Sequence, residues 1–273
     1  MRGEIIFKMS GSGNDFVFID GRASPLERWT PERIRLVCTR GTGVGADGLI
    51  VLEPGSAPGH VRFHFFNNDG IRAGMCGNGA LCAARLAAWL ELAPAEGMVL
   101  ETDAGPVPAR CLEGEGELAE IEIPVPTPLS NPGIDLVQGE RSMWLTTVGV
   151  PHLVVLVDDV GRVALETRGR ELRSHPGVGV DGANVNFVAN GGSSLGVRTY
   201  ERGVEAETLA CGTGAVACVA AMALEGAVAI PCPVRTASGE TLTVTGELSE
   251  AREFTTVRLT GQGRMVLRGL LGG

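Results

Sequence analysis

The sequence predicts an α+β fold built from two homologous, pseudo-twofold-related domains, each a mainly antiparallel β-sheet or barrel wrapped around a central helix. Three observations predict it. The chain repeats itself once, near half its length. Short β-type runs alternate with Gly, Pro and Asp turns in both halves. Each half also holds one helix that is apolar on nearly every face.

The repeat sets the domain organisation. GVGADG at 43–48 returns as GVGVDG at 177–182, and CGNGA at 76–80 returns as CGTGA at 211–215. The Val61-Arg62 strand start returns at Val197-Arg198, and TDAG at 102–105 returns as TASG at 236–239. DFVFID at 15–20 more loosely resembles HLVVLVD at 152–158. The matches are collinear, so the reading is a duplicated domain: 1–122 with a returning strand 264–273, and 123–263. Strands are expected at 16–19, 49–52, 61–66, 153–157, 197–200, 242–245 and 256–259. The helices are expected at 79–91, stopped near Pro94, and at 214–225, stopped at Gly226. Their all-round apolar surface marks them as buried.

Composition excludes several classes of function. Of the 273 residues, 44% are hydrophobic and 20% charged, which reads as globular. A net charge of −9 and a pI near 5.1 speak against a general nucleic-acid or anionic-membrane surface, though a local cationic pocket stays open. The most apolar stretch, 80–92, carries Arg85 and Glu91 and is too short to span a bilayer. Lys8 interrupts the first apolar run, so no secretory signal is read and a cytoplasmic protein is expected. Seven cysteines, without a CxxC pair, do not form a disulfide framework or a structural zinc motif. His60, His64, His152 and His175 are scattered with no HExxH, so no metal is expected. A pyridoxal enzyme needs a Schiff-base lysine. The chain has one lysine, Lys8, and no cofactor is expected.

The two CGxG motifs carry the chemistry. A helix start presents unpaired N–H groups and partial positive charge, and glycine lets a ligand approach the backbone. Such a site binds carboxylate or phosphate. It also lowers a thiol pKa from about 8.5 to roughly 3.5–7.5. Cys76 and Cys211 are thus candidate acid–base groups, whereas Cys82 and Cys218, farther along the helices, read as core. If the halves pack about a pseudo-twofold axis, the two helix starts face one cleft and two thiols flank one carbon. Inverting a stereocentre needs that arrangement: a base on one face and an acid on the other. The helix starts would then stabilise charge growing on a carboxylate as the α-proton leaves.

Polar residues near these motifs are candidates for substrate recognition. Asn14 follows a Gly-Ser-Gly turn, and Asn67 ends an apolar strand before Cys76. Asn184 lies between GVGVDG and Phe187, while Glu201 and Arg202 end a strand before Cys211. An Arg can clamp a carboxylate and a Glu can hold an ammonium group.

Along nearly its whole length the chain resembles the diaminopimelate epimerase family. The strings that carry the likeness are KMSGSGNDFVFID, GVGADGLIVL, FFNNDG, CGNGALCAAR, PHLVVLVDD, GANVNF and, most specific, YERGVEAETLACGTGA. The resemblance implies interconversion of L,L- and meso-diaminopimelate, a step toward lysine and bacterial cell-wall peptide, with no cofactor and usually as a homodimer. It implies Cys76 and Cys211 as the proton donor–acceptor pair, and His152 and Glu201 as groups that tune those thiols. It implies substrate contacts from Asn14, Asn67, Asn184, Glu201 and Arg202. Backbone N–H groups at Gly77, Asn78, Gly212 and Thr213 would hold the reacting carboxylate. Two departures stand out. Val150 precedes Pro151-His152 where many members have Asn, removing one distal hydrogen-bonding side chain. The strand at 264–271 lacks a tyrosine that some members place at the dimer interface. Two other readings stay open: a proline- or hydroxyproline-type racemase, and a non-catalytic small-molecule binder. The binder's signature would be the loss of one motif cysteine, and both are present.

Overall fold

The structure, a computed structural model, describes residues 3–114 and 116–272. It divides into two compact units, one formed up to Glu122 and again from Thr260, the other spanning Ile123–Leu259.

In the first unit, β1 (Glu4–Gly11) and β2 (Asn14–Asp20) form a hairpin. Its turn places Ser12 and Gly13 at φ 51° and 103°. β2 runs parallel to β3 (Gly48–Pro54), and parallel neighbours need a crossover, here carrying α1 (Pro31–Cys38). β3 pairs antiparallel with β4 (His60–Asn67), and β4 with the short β5 (Arg72–Ala73). A second crossover carries α2 (Gly77–Trp89) to β6 (Met98–Thr102), parallel to β4. β7 (Gly105–Cys111) and β8 (Leu118–Glu122) continue antiparallel.

The second unit repeats this order. β9 (Glu140–Val148) and β10 (Val150–Val157) pair antiparallel, and a crossover with α3 (Leu165–Arg173) leads to β11 (Asn184–Asn190), parallel to β10. β12 (Leu195–Glu201) and β13 (Ala206–Thr208) follow antiparallel. The crossover with α4 (Gly212–Leu224) leads to β14 (Cys232–Arg235), parallel to β12, then to β15 (Thr241–Leu248) and β16 (Phe254–Gln262). β17 (Arg264–Leu271) returns to pair with β1. The chain passes out of the second unit between Leu259 and Thr260, inside β16, whereas the sequence placed the change at 263/264.

The duplication is one of topology, and it corrects part of the repeat register. β3 and β11 each have seven residues, and each begins beside a residue of the preceding strand, Gly48 beside Phe16 and Asn184 beside His152. Ile50 therefore corresponds to Asn186. Across the next ladder Ile50 pairs with Phe65 and Asn186 with Thr199. On that register Val61 corresponds to Leu195, so the Val61/Val197 match is two residues out. A period-two pattern hides such a slip because it leaves every side chain on the same face.

α2 and α4 are the central helices. Ala80–Ala84 are buried with Leu86 and Ala87, and in α4 nearly every residue is buried. α1 and α3 are additional to the one helix per half that the sequence predicts. α1 packs Ile34 and Val37 against Val17, Ile19, Leu49 and Val51. α3 packs Leu165 and Leu172 against Leu153, Val155, Val185 and Tyr200. Each sheet thus has a covered face on both sides, which explains its continuous apolar runs. No helix among the described residues is long and apolar enough to cross a membrane.

Candidate active site

Cys76 and Cys211 are the N-cap residues of α2 and α4. Both are extended, with φ, ψ of −137°, 119° and −124°, 108°. Their carbonyls accept the first helical hydrogen bonds, from Ala80 N at 2.8 Å and Ala215 N at 2.9 Å. The helices begin two residues earlier than expected, at Gly77 and Gly212 rather than Gly79 and Gly214. First-turn N–H groups have no intrahelical acceptor, so Gly77, Asn78, Gly212 and Thr213 carry donors at the two thiols. No acidic residue occupies either first turn, which leaves the helix charge available to an anion.

Exposure separates the cysteines. Cys76 and Cys211 are half-buried and the other five are buried. Burial pushes the Cys38 thiol up to about 11. It also pushes Cys82 and Cys218 well above the ordinary value and raises Cys111 and Cys232.

In the first unit a polar chain reaches the helix start. Asn78 Nδ2 donates to Asn14 Oδ1 at 2.8 Å, and Asn14 Nδ2 donates to Asp47 Oδ2 at 2.9 Å. Arg40 bridges Asp47 at 2.8 Å and Asp15 at 2.5 Å. Lys8 pairs with Asp15 at 2.5 Å and donates to the Gly45 carbonyl. Burial opposes ionisation of Asp15, but Arg40 and Lys8 outweigh it and hold the carboxyl below its ordinary range. The chain ties Asn14 to Asn78 in the first turn of α2, the helix that Cys76 caps. Asn67 stands exposed at the end of β4, opposite Gly48, where its backbone closes a turn with Gly70 and Ile71.

In the second unit His152 is fully buried on β10. Burial, with the charge of Arg202 adding to it, pulls the imidazole down to about 3. Its Nδ1 lies 3.1 Å from Asn186 Nδ2, and its Nε2 has no hydrogen-bond partner among the described residues. Burial pushes the Glu201 carboxyl up, against a hydrogen bond from Thr208 Oγ1 at 2.7 Å. Asn184 is buried, and its Oδ1 accepts from the Arg202 backbone N–H at 2.8 Å. The Arg202 guanidinium donates to the Asp181 carbonyl at 3.2 Å. Cys211 Sγ lies 3.6 Å from Thr213 Oγ1.

Four residues at these sites were not singled out from the sequence: Asp47, Asn186, Thr199 and Thr208. Asn186 had a signal, an Asn in the middle of the otherwise apolar run VNFV. It also explains a motif glycine. A Cβ on Gly214 would lie 2.2 Å from Asn186 Oδ1 and 3.2 Å from Cys211 Sγ, so the third residue after the cysteine must lack one. Among the described residues no three His, Cys, Asp or Glu side chains gather as a metal site.

The profile of the diaminopimelate epimerase family matches this chain twice, over residues 6–122 and 144–259, once per repeat. The diaminopimelate epimerase of Gemmatimonas aurantiaca is 41% identical over 97% of this chain and 98% of its own. That of Aquifex aeolicus is 42% identical over 97% and 96%. The fold is shared more widely. A phenazine biosynthesis protein of the PhzF family from Bacillus anthracis superposes with a TM-score of 0.77 over the whole of both chains, at 15% identity. A hydroxyproline epimerase from Agrobacterium vitis gives 0.68 over 99% of this chain and 91% of its own, at 17% identity. With a family match in each half and relatives above 40% identity along nearly its full length, the chain belongs to the diaminopimelate epimerase family.

Proposed function

We propose that this chain is a cofactor-independent epimerase that interconverts L,L- and meso-diaminopimelate, a step toward lysine and cell-wall peptide. The observation that carries the chemistry is the pair of half-buried thiols, each capping a central helix at the same place in a duplicated topology. Cys76 and Cys211 serve as base and acid. One, as thiolate, removes the α-proton, and the other, as thiol, delivers its own proton to the opposite face. The electron pair left on the α-carbon is held with the α-carboxylate by the N–H groups of Gly77, Asn78, Gly212 and Thr213. At the end the α-carbon is inverted and the two sulfurs have exchanged protonation states.

The remaining site residues divide between tuning and recognition. His152 and Glu201 tune the thiols. Asn14, Asn67, Asn184, Glu201 and Arg202 select the substrate. Asn14 is held with both polar ends defined, and Asn184 fixes the backbone from which Arg202 projects. Lys8 supports chemistry without pyridoxal, since the sole lysine is ion-paired to Asp15 and donates to a carbonyl. The unit up to Glu122 with the segment from Thr260, and the unit Ile123–Leu259, are the two epimerase domains. A homodimer is supported by the face of β1 and β17 that leaves Ile5, Val266 and Leu270 exposed, with Ile5 opposite Leu270. A cytoplasmic location fits the net charge of −9, which disfavours an anionic membrane surface. The test is purified protein with L,L-diaminopimelate in heavy water, without added cofactor. Early meso product carries solvent deuterium while recovered substrate carries almost none. Equal early labelling of both isomers refutes the two-thiol assignment, and absence of meso product refutes the substrate.

A further inference from the structure

We propose that Asn186 is a positioning residue for this reaction, locking His152 as a neutral imidazole with its hydrogen on Nε2, so that His152 serves a thiolate as a hydrogen-bond donor and not as its base. The positioning role rests on the epimerase reading above; the tautomer does not.

The orientation of Asn186 follows from its neighbours. One end of the carboxamide faces the Leu153 carbonyl at 3.2 Å and the Asn184 carbonyl at 3.4 Å. Carbonyls only accept, so that end is the NH2 group. The other end accepts from Thr199 Oγ1 at 3.0 Å. The same NH2 group faces His152 Nδ1 at 3.1 Å. Nδ1 must therefore accept, and a neutral ring then carries its hydrogen on Nε2. Placing a hydrogen on Nδ1 would set two donors against each other in a fully buried site. The basic nitrogen is thus occupied by Asn186, and the nitrogen left over can only give a hydrogen bond. Nε2 has no acceptor among the described residues although it is buried.

The duplicated topology shows that this arrangement is not required for folding. The positions of His152, Asn186 and Thr199 are held in the first unit by Phe16, Ile50 and Phe65. All six are buried, and Phe16 packs edge-on against Phe65 at 6.2 Å between ring centroids. The same scaffold accepts an apolar triad at one helix start and a linked polar triad at the other. The polar triad also touches the motif, since Asn186 Oδ1 occupies the space a Cβ on Gly214 would need. The chemical consequence is specific. A ring held this way can offer a thiolate its Nε2–H but cannot take a thiol's proton at Nδ1, which Asn186 occupies.

The test begins with the native protein, whose long-range proton–nitrogen NMR spectrum distinguishes a protonated from a bare ring nitrogen. The expected result at neutral pH is one His152 ring with hydrogen on Nε2 and none on Nδ1. A hydrogen on Nδ1, or an imidazolium, overturns the proposal. Asn186→Asp keeps the shape but only accepts. It is expected to move the hydrogen to Nδ1 and lower kcat by roughly 10²–10⁴-fold with little change in KM. Thr199→Val, which removes the donor holding the far end of Asn186, is expected to lower kcat by a smaller factor, and it decides the matter if the Asp variant does not fold. A folded Asn186→Asp protein with the reversed tautomer and native kcat overturns the proposal. Because the spectrum needs no substrate, an Nε2–H ring in a chain that leaves diaminopimelate unchanged refutes the epimerase reading and the positioning role together, while the tautomer stands.

Discussion

Replacing Gly214 by Ala tests how the helix start, the thiol and the buried triad depend on each other. A Cβ there would sit 2.2 Å from Asn186 Oδ1 and 3.2 Å from Cys211 Sγ. The oxygen must retreat by about an ångström to reach ordinary contact. It has nowhere to go without loosening the bonds to Thr199 Oγ1 at 3.0 Å and to His152 Nδ1 at 3.1 Å. Overpacking costs roughly 1–3 kcal/mol. A buried polar group left short of a partner costs a similar amount. Against this, Ala in place of Gly in a helix returns about 1 kcal/mol. The net expectation is destabilisation of about 1–5 kcal/mol, or roughly 2–20 °C in Tm at this size. The sister position is an internal control. On Gly79 a Cβ would meet Ile50 Cδ1 at 2.8 Å, the end of a flexible apolar side chain. A turn of Ile50 about χ2 moves Cδ1 away, so Gly79→Ala is expected to stay within about 1 kcal/mol of native. Thermal melts of both variants, with kcat/KM for each, make the comparison. If Gly214→Ala melts no lower than Gly79→Ala and keeps native activity, the contact with Asn186 does not constrain the site.

Other expectations follow from the buried titratable groups and the exposed thiols. His152 has its native pKa depressed from 6.5 to about 3, so the unfolded chain binds the extra proton between those values. Its stabilising effect is full above pH 6.5 and is lost as pH falls toward 3; denaturant titrations should show native protein losing more stability than His152→Gln between pH 6.5 and 4. Glu201 has the opposite sign. Burial raises its pKa above 4.5, so a destabilising cost appears as pH rises through the native value. Glu201→Gln should therefore be more stable than native at neutral pH, with the gain vanishing below about pH 4.5, and the absence of any gain would contradict the burial. Iodoacetamide on folded protein should label Cys76 and Cys211 before the five buried cysteines, and peptide mapping that finds Cys38 or Cys111 first would count against the exposure argument. Arg202→Ala should lower kcat/KM for diaminopimelate by at least about tenfold if the guanidinium holds a substrate carboxylate; a change within about twofold would return Arg202 to a structural role.

What the sequence disclosed depended on whether a segment's composition and its environment agree. α2 and α4 were visible because nearly every residue in them is apolar and nearly every face is buried. α1 had signals that went unread: Thr30 caps it, Pro31 fills its first position and Glu32 sits in its first turn. α3 had few. Its preceding Ala164 makes no side-chain cap, Gly169 sits inside it, and only Leu165, Gly169 and Leu172 are buried. β7 reads poorly as a strand because it contains Pro106 and Pro108, both exposed, yet it pairs on both sides. Cys76, Cys211 and the polar candidates Asn14, Asn67, Asn184, Glu201 and Arg202 were legible because each lies in or beside a motif with its own chemistry. Asn186, Thr199 and Thr208 were not, since an Asn or Thr within a strand acquires meaning only from what lies across the ladder.

That distinction bears on how a duplicated fold becomes an asymmetric catalyst. Two equal helix starts with equal thiols would suffice for a symmetric proton exchange, and the CGNGA and CGTGA motifs are nearly equal. The surroundings are not. At the first helix start the polar contacts come from Asn14 and Asn78, tied to an ion network through Asp47, Arg40, Asp15 and Lys8. At the second, Thr213 Oγ1 lies 3.6 Å from Cys211 Sγ and Asn186 Oδ1 packs against Gly214, with His152 hydrogen-bonded to Asn186. A diaminopimelate molecule is itself unequal about the reacting carbon, because its second amino-acid head must lie to one side. On the proposed reading, recognition of that head would draw on the differences between the two halves, and the proton exchange on the two motif cysteines that they share. The duplication supplies the match through the shared crossover and helix cap. The two halves diverge at Phe16/His152, Ile50/Asn186 and Phe65/Thr199, positions buried and paired alike in both ladders, so a polar triad replaces an apolar one with the strand pairing unchanged.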